Sequence, residues 1–80
     1  MAEFHEYDVV RVTQLLQPDR HFTGYEAIKR PPQIGDKGTI VDMHPEMNSW
    51  CIVECVASDG STIWLADFLT DELELVEAAK

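Results

Sequence analysis

The segment Ile34-Gly35-Asp36-Lys37-Gly38-Thr39-Ile40-Val41-Asp42 constrains the folding of this chain most. Its two glycines bracket Asp-Lys and run straight into β-branched residues. Glycine suits places where φ turns positive or a backbone passes close by, and Thr, Ile and Val favour a pleated strand. Gly35 and Gly38 are therefore expected to be structural, forming the tight entry to a strand. A second signal, Asp59-Gly60 between β-rich runs, predicts a two-residue hairpin turn of type I′.

Around these turns the chain divides into short strands. Val10 and Val12 alternate with Arg11 and Thr13, which predicts a first strand over residues 8–13. Residues 17–33 contain Pro18, Gly24, Pro31 and Pro32 and read as a long loop, with one helical turn at 25–29. Further strands are expected at 37–44, 50–57 and 61–66, then a helical turn at 68–72 and a last strand at 73–76. Residues 77–80 are expected to fray. The expectation is an all-β, five-stranded SH3-like small barrel with a long first loop and a short helical turn before the last strand. It forms one domain over 1–80, with its core in about 6–76.

At this point the chain also resembles a known family. Asp8-Val9-Val10-Arg11-Val12, Gly35 to Val41, Val53-Glu54 and Asp59-Gly60-Ser61-Thr62-Ile63 resemble a bacterial family of short, functionally uncharacterised SH3-like barrel proteins. The first loop is some ten residues longer here than the family pattern. The resemblance implies a fold and supplies no catalytic residues.

Charge narrows the choice of partners. Fifteen acids against six Lys and Arg give a net charge of −9. Phosphate binding depends on Lys and Arg, so this balance argues against nucleic acid and for basic partners. No run approaches the roughly 20 apolar residues of a membrane span, and the acidic N-terminus lacks the apolar core of a signal peptide. The expected location is cytoplasmic.

No reaction chemistry stands out. Cys51 and Cys55, on one strand, would lie about 13 Å apart at roughly 3.3 Å per residue, beyond disulfide reach and too far to share one zinc ion. Both are expected to be reduced and buried. No nucleophile elbow or phosphate loop is present. Asp67, Asp71, Glu72, Glu74 and Glu77 read as a solvated acidic face. The expectation is no enzyme, no catalytic residues, no metal and no cofactor.

The hairpin around Asp59-Gly60 carries more information. A two-residue turn would pair Cys55 with Trp64, Val53 with Ala66, Glu54 with Leu65 and Val56 with Ile63. One face then carries Cys51, Val53, Cys55, Trp64 and Ala66, small partners around one large indole, as a close-packed core needs. The opposite face carries Ile52, Val56, Ile63 and Leu65, broken by Glu54, more apolar surface than one small barrel buries. This face, together with Phe22, Tyr25, Trp50 and the connection at 45–48, is the expected contact surface. The function that follows is a non-catalytic protein-interaction module or accessory subunit, with a protein partner or as a homo-oligomer. Glu54 would mark the rim or pair with a base such as Arg11. The alternative is single-stranded RNA binding through the basic and aromatic loop 20–37, using Arg20, Lys29, Arg30 and Lys37 with Phe22 and Tyr25.

Overall fold

The computed structural model, which describes residues 3–44, 46 and 49–80, is all-β. Its strands are β1 (Val9–Val12), β2 (Phe22–Thr23), β3 (Lys37–Met43), β4 (Trp50–Val56), β5 (Thr62–Leu69) and β6 (Leu73–Glu77). A 3-10 turn, Thr70–Glu72, joins the last two. All six lie in one antiparallel sheet in the order β2-β5-β4-β3-β1-β6. The strand count thus departs from the expected five. The extra strand, two-residue β2, forms inside the long first loop and pairs with β5, Phe22 opposite Ala66 and Thr23 opposite Leu65. β2 and β6 are the two edges, and the sheet is not closed. No helix of the described residues is long and apolar enough to cross a membrane. Pro45, Met47 and Asn48 of the expected contact connection lie outside the described residues.

Both glycines of the first turn have physical work. Gly35 has φ +97°, the left-handed region that favours glycine, and its N–H donates to the Val12 carbonyl. Gly38 is buried on β3, where a Cβ would meet Val53 Cγ1 at 2.7 Å and the Glu54 carbonyl oxygen at 2.8 Å. The first glycine turns the chain and the second lets β4 approach.

The Asp59-Gly60 turn forms, but with a three-residue loop rather than two. Gly60 N–H donates to the Ala57 carbonyl, and Ala57 N–H donates to the carbonyl of Ser61. A type I′ turn needs positive φ at both central residues, whereas this loop needs it at one. Gly60 supplies it, at φ +91°, and Asp59 Oδ1 accepts the Ser61 N–H at 2.9 Å. The extra loop residue is cancelled by a bulge one step on. Val56 pairs with Thr62, not Ile63, while Cys55–Trp64, Glu54–Leu65 and Val53–Ala66 pair in the expected register. Register beyond the bulge is set by burial, because a one-residue slip would send every core side chain to the outer face.

The core gathers on the inner face of the sheet. Trp64, Phe68, Ile40, Val10, Val53 and Cys51 are fully buried, with Val12, Cys55, Ala66, Leu73 and Phe4 around them. Trp64 and Phe68 stack at 5.3 Å between ring centroids. Both cysteines are free and buried. Burial pushes the Cys51 thiol up to about 12, with Glu72 and Asp67 adding to the rise, and burial also raises Cys55.

Candidate interaction surface

Alternation along β4 and β5 sends Trp50, Ile52, Glu54 and Val56 to the outer face, with Leu65, Asp67 and Leu69 opposite. Two cross-strand rows organise its centre. Ile52 sits between Asp42 of β3 and Asp67 of β5, and Glu54 sits between Thr39 and Leu65, with Thr23 of β2 next. Directly opposed side chains lie about 4.5–5.5 Å apart at Cβ, so the half-buried Ile52 and Leu65 are framed by three carboxylates. Two shallow depressions adjoin on this face at Thr23 and Leu65 and together make a groove: one is also lined by His21, Phe22, Ile52 and Asp67, the other by Tyr25, Gly60, Ser61 and Thr62.

The residues expected to make contact are only partly brought together. Ile52 and Leu65 line the groove floor, and Tyr25, 59% exposed, stands at its far end. Phe22 instead packs against the core opposite Ala66, with its ring also lining the groove. Val56 is half exposed but lines a separate depression with Val9, Lys37, Thr39 and Glu54. Ile63 leaves the outer face. The bulge before it lets it pack against the core, and the backbone at Gly24 and Arg30 lies on its carbonyl. Trp50 is half-buried and does not line the groove; it lies edge-on to His44 at 5.6 Å. Glu54 does not pair with Arg11; it accepts from Thr62 Oγ1 at 2.6 Å, while Arg11 pairs with Glu74.

The basic residues of the first loop are committed elsewhere. Arg20 pairs with Glu72, Arg30 with Asp36 and Lys29 with Glu26, leaving Lys37 as the one basic residue of that segment without an ion pair among the described residues. Such a loop presents little free positive charge to phosphate.

Two of these ion pairs belong to anchors that the sequence pattern does not reveal. Glu72, expected on a solvated face, is fully buried. It accepts from the N–H of Leu16 (2.7 Å), the N–H of Leu69 (2.9 Å), the Gln17 amide (2.9 Å) and the Arg20 guanidinium. Arg20 in turn lies 4.1 Å over the Phe68 ring. Burial pushes the Glu72 carboxyl upward, but the Leu16 and Leu69 amides, then Arg20 and Gln17, outweigh it and hold the group below its ordinary value. Asp36 takes both guanidinium N–H groups of Arg30 at 2.8 and 3.0 Å, the Trp64 indole at 2.8 Å and the Gln33 N–H at 2.9 Å. Here too burial opposes and Arg30, Trp64 and Gln33 prevail, lowering the carboxyl. A second fully buried carboxylate, Asp8, accepts from the N–H of His5 and of Ala79, tying the segment before β1 to the segment after β6.

Compared with known protein families, curated proteins and solved structures, the chain matches none.

Proposed function

We propose that this chain is a non-catalytic protein-interaction module on an SH3-like small barrel, contacting its partner through the outer face of β2, β5 and β4. The order β5-β4-β3-β1-β6, with a 3-10 turn delivering β6 to β1, supports the barrel reading. One observation carries the function. Ile52 and Leu65 form a half-buried apolar floor in a groove that ends at the exposed Tyr25. Aromatic and aliphatic anchors in a shallow, pre-formed depression are what a partner's side chains bury against. A heterologous partner fits better than self-association, because pairing two copies through this face would bring the Asp42, Glu54 and Asp67 carboxylates of both copies into one interface.

The reading is tested by affinity capture with tagged wild type and with an Ile52→Asp/Leu65→Asp variant whose fold is checked by circular dichroism. A partner retained by the wild type and lost from the folded variant is expected. Partners captured equally by both proteins would overturn the assignment to this face, and dimers by sedimentation at tens of micromolar would overturn the heterologous form.

A further inference from the structure

We infer that the outer groove takes a short extended segment of a partner protein in which an apolar side chain is flanked by Lys or Arg; this rests on the interaction reading and names its ligand class. Charge complementarity around an apolar floor selects this occupant. Asp42 and Asp67 stand on either side of Ile52 in one cross-strand row, and Glu54 is the direct neighbour of Leu65 in the next. None of the three carboxylates has a Lys or Arg partner among the described residues. The chain cannot neutralise them from its own supply. Arg11, Arg20, Lys29 and Arg30 are each paired to Glu74, Glu72, Glu26 and Asp36, which takes four of the fifteen acids and leaves eleven facing Lys37 and Lys80. Lys37 stands on the same outer face but on the β1–β3 side, where it lines a separate depression with Val9, Thr39, Glu54 and Val56. It forms no ion pair with Glu54, and neither Asp42 nor Asp67 lines that depression.

Size follows from the strands. The groove spans β5 from Thr62 to Asp67, about 16 Å at roughly 3.3 Å per residue, the reach of about five extended residues. An apolar side chain seated between Ile52 and Leu65 places the neighbouring side chains of such a segment over the carboxylates. Basic side chains there also guide the encounter, since opposite charges raise association rates and like charges exclude wrong partners. The apolar contact sets the seat, and the carboxylates choose who sits.

The test uses the full chain labelled with 15N and two synthetic peptides, Gly-Lys-Leu-Lys-Leu-Lys-Gly and the same peptide with Glu in place of each Lys. The basic peptide is expected to shift the amides of Ile52, Leu65 and Asp67. Its binding should weaken about fivefold between about 0.02 and about 0.3 M salt, and about fivefold again in the Asp42→Asn/Asp67→Asn variant, as two exposed charge contacts imply. The acidic peptide should leave those amides unmoved. Equal binding of both peptides, salt-independent binding, shifts confined to the first loop, or no shift with either would each overturn the inference. The capture experiment on the Ile52→Asp/Leu65→Asp variant reads the interaction role independently, so a partner of neutral or acidic character would leave that role standing while removing this one.

Discussion

The first loop is held at both ends by a carboxylate, and the two ends are built differently. At its start Glu72 is sealed from solvent and collects two backbone N–H groups, an amide and a guanidinium that itself is almost fully buried. At its end Asp36 retains some exposure and binds an arginine that is about one-third exposed, along with the Trp64 indole and one backbone N–H. The first anchor organises backbone that would otherwise be unpaired. The second fixes the core tryptophan to the turn that starts β3. The same chemistry at different depth predicts different sensitivity, because removing one partner of a buried ion pair leaves the other charge uncompensated, whereas water rescues an exposed one.

The largest effect should follow Glu72→Ala. It strands the Leu16 and Leu69 N–H groups and leaves Arg20 charged over Phe68, at a cost of about 3–5 kcal/mol. That equals the whole stability of many domains this small. Thermal and urea melts should show a largely unfolded protein, with Glu72→Gln folded but weakened. A Glu72→Ala protein that melts like wild type would erase the contrast between the anchors.

Asp36→Ala should cost less, about 1–3 kcal/mol for leaving the Trp64 indole without its acceptor, since the exposed side of Arg30 regains water. Trp64 fluorescence should report the change. In a double-mutant cycle, Trp64→Phe should abolish most of the cost of Asp36→Ala.

Acid should act on both anchors together. Each carboxyl titrates lower in the fold than in the unfolded chain, where Glu and Asp lie near about 4.3 and 3.9. Their stabilisation is therefore complete above those values and is lost as pH falls through the depressed ones. Melting temperature should hold down to about pH 5 and fall below about pH 4. Glu72→Gln, which cannot ionise, should flatten that fall; an acid profile identical to wild type would show that Glu72 does not contribute to it.

The smallest effect expected is at the exposed end. Arg30→Lys keeps the charge but loses the two-pronged grip on Asp36, costing about 0.5–1 kcal/mol, and the remaining pair should weaken further in salt. Arg20→Lys should be the more damaging of the two arginine changes, because its position is buried and stacked on Phe68. Equal losses would mean that burial does not separate the anchors.

What the sequence by itself determined is local or periodic. Gly35 and Gly60 carry the positive φ that their turns need, and Gly38 the close approach. The alternation of Cys51, Val53 and Cys55 against Trp64 and Ala66 specified the inner face and the strand register, because an apolar set with a period of two can be buried only one way. Tertiary structure decided the rest. Ile63 left the outer face through a bulge that only the packed hairpin required, and β2 formed because the loop came to lie along β5. Glu72 reads as one acid in an acidic tail, and Arg20, 52 residues away, as one base in a loop. Nothing local distinguishes a buried carboxylate from a solvated one. Its burial depends on which donors arrive from distant parts of the chain, and only the folded sheet brings them to it.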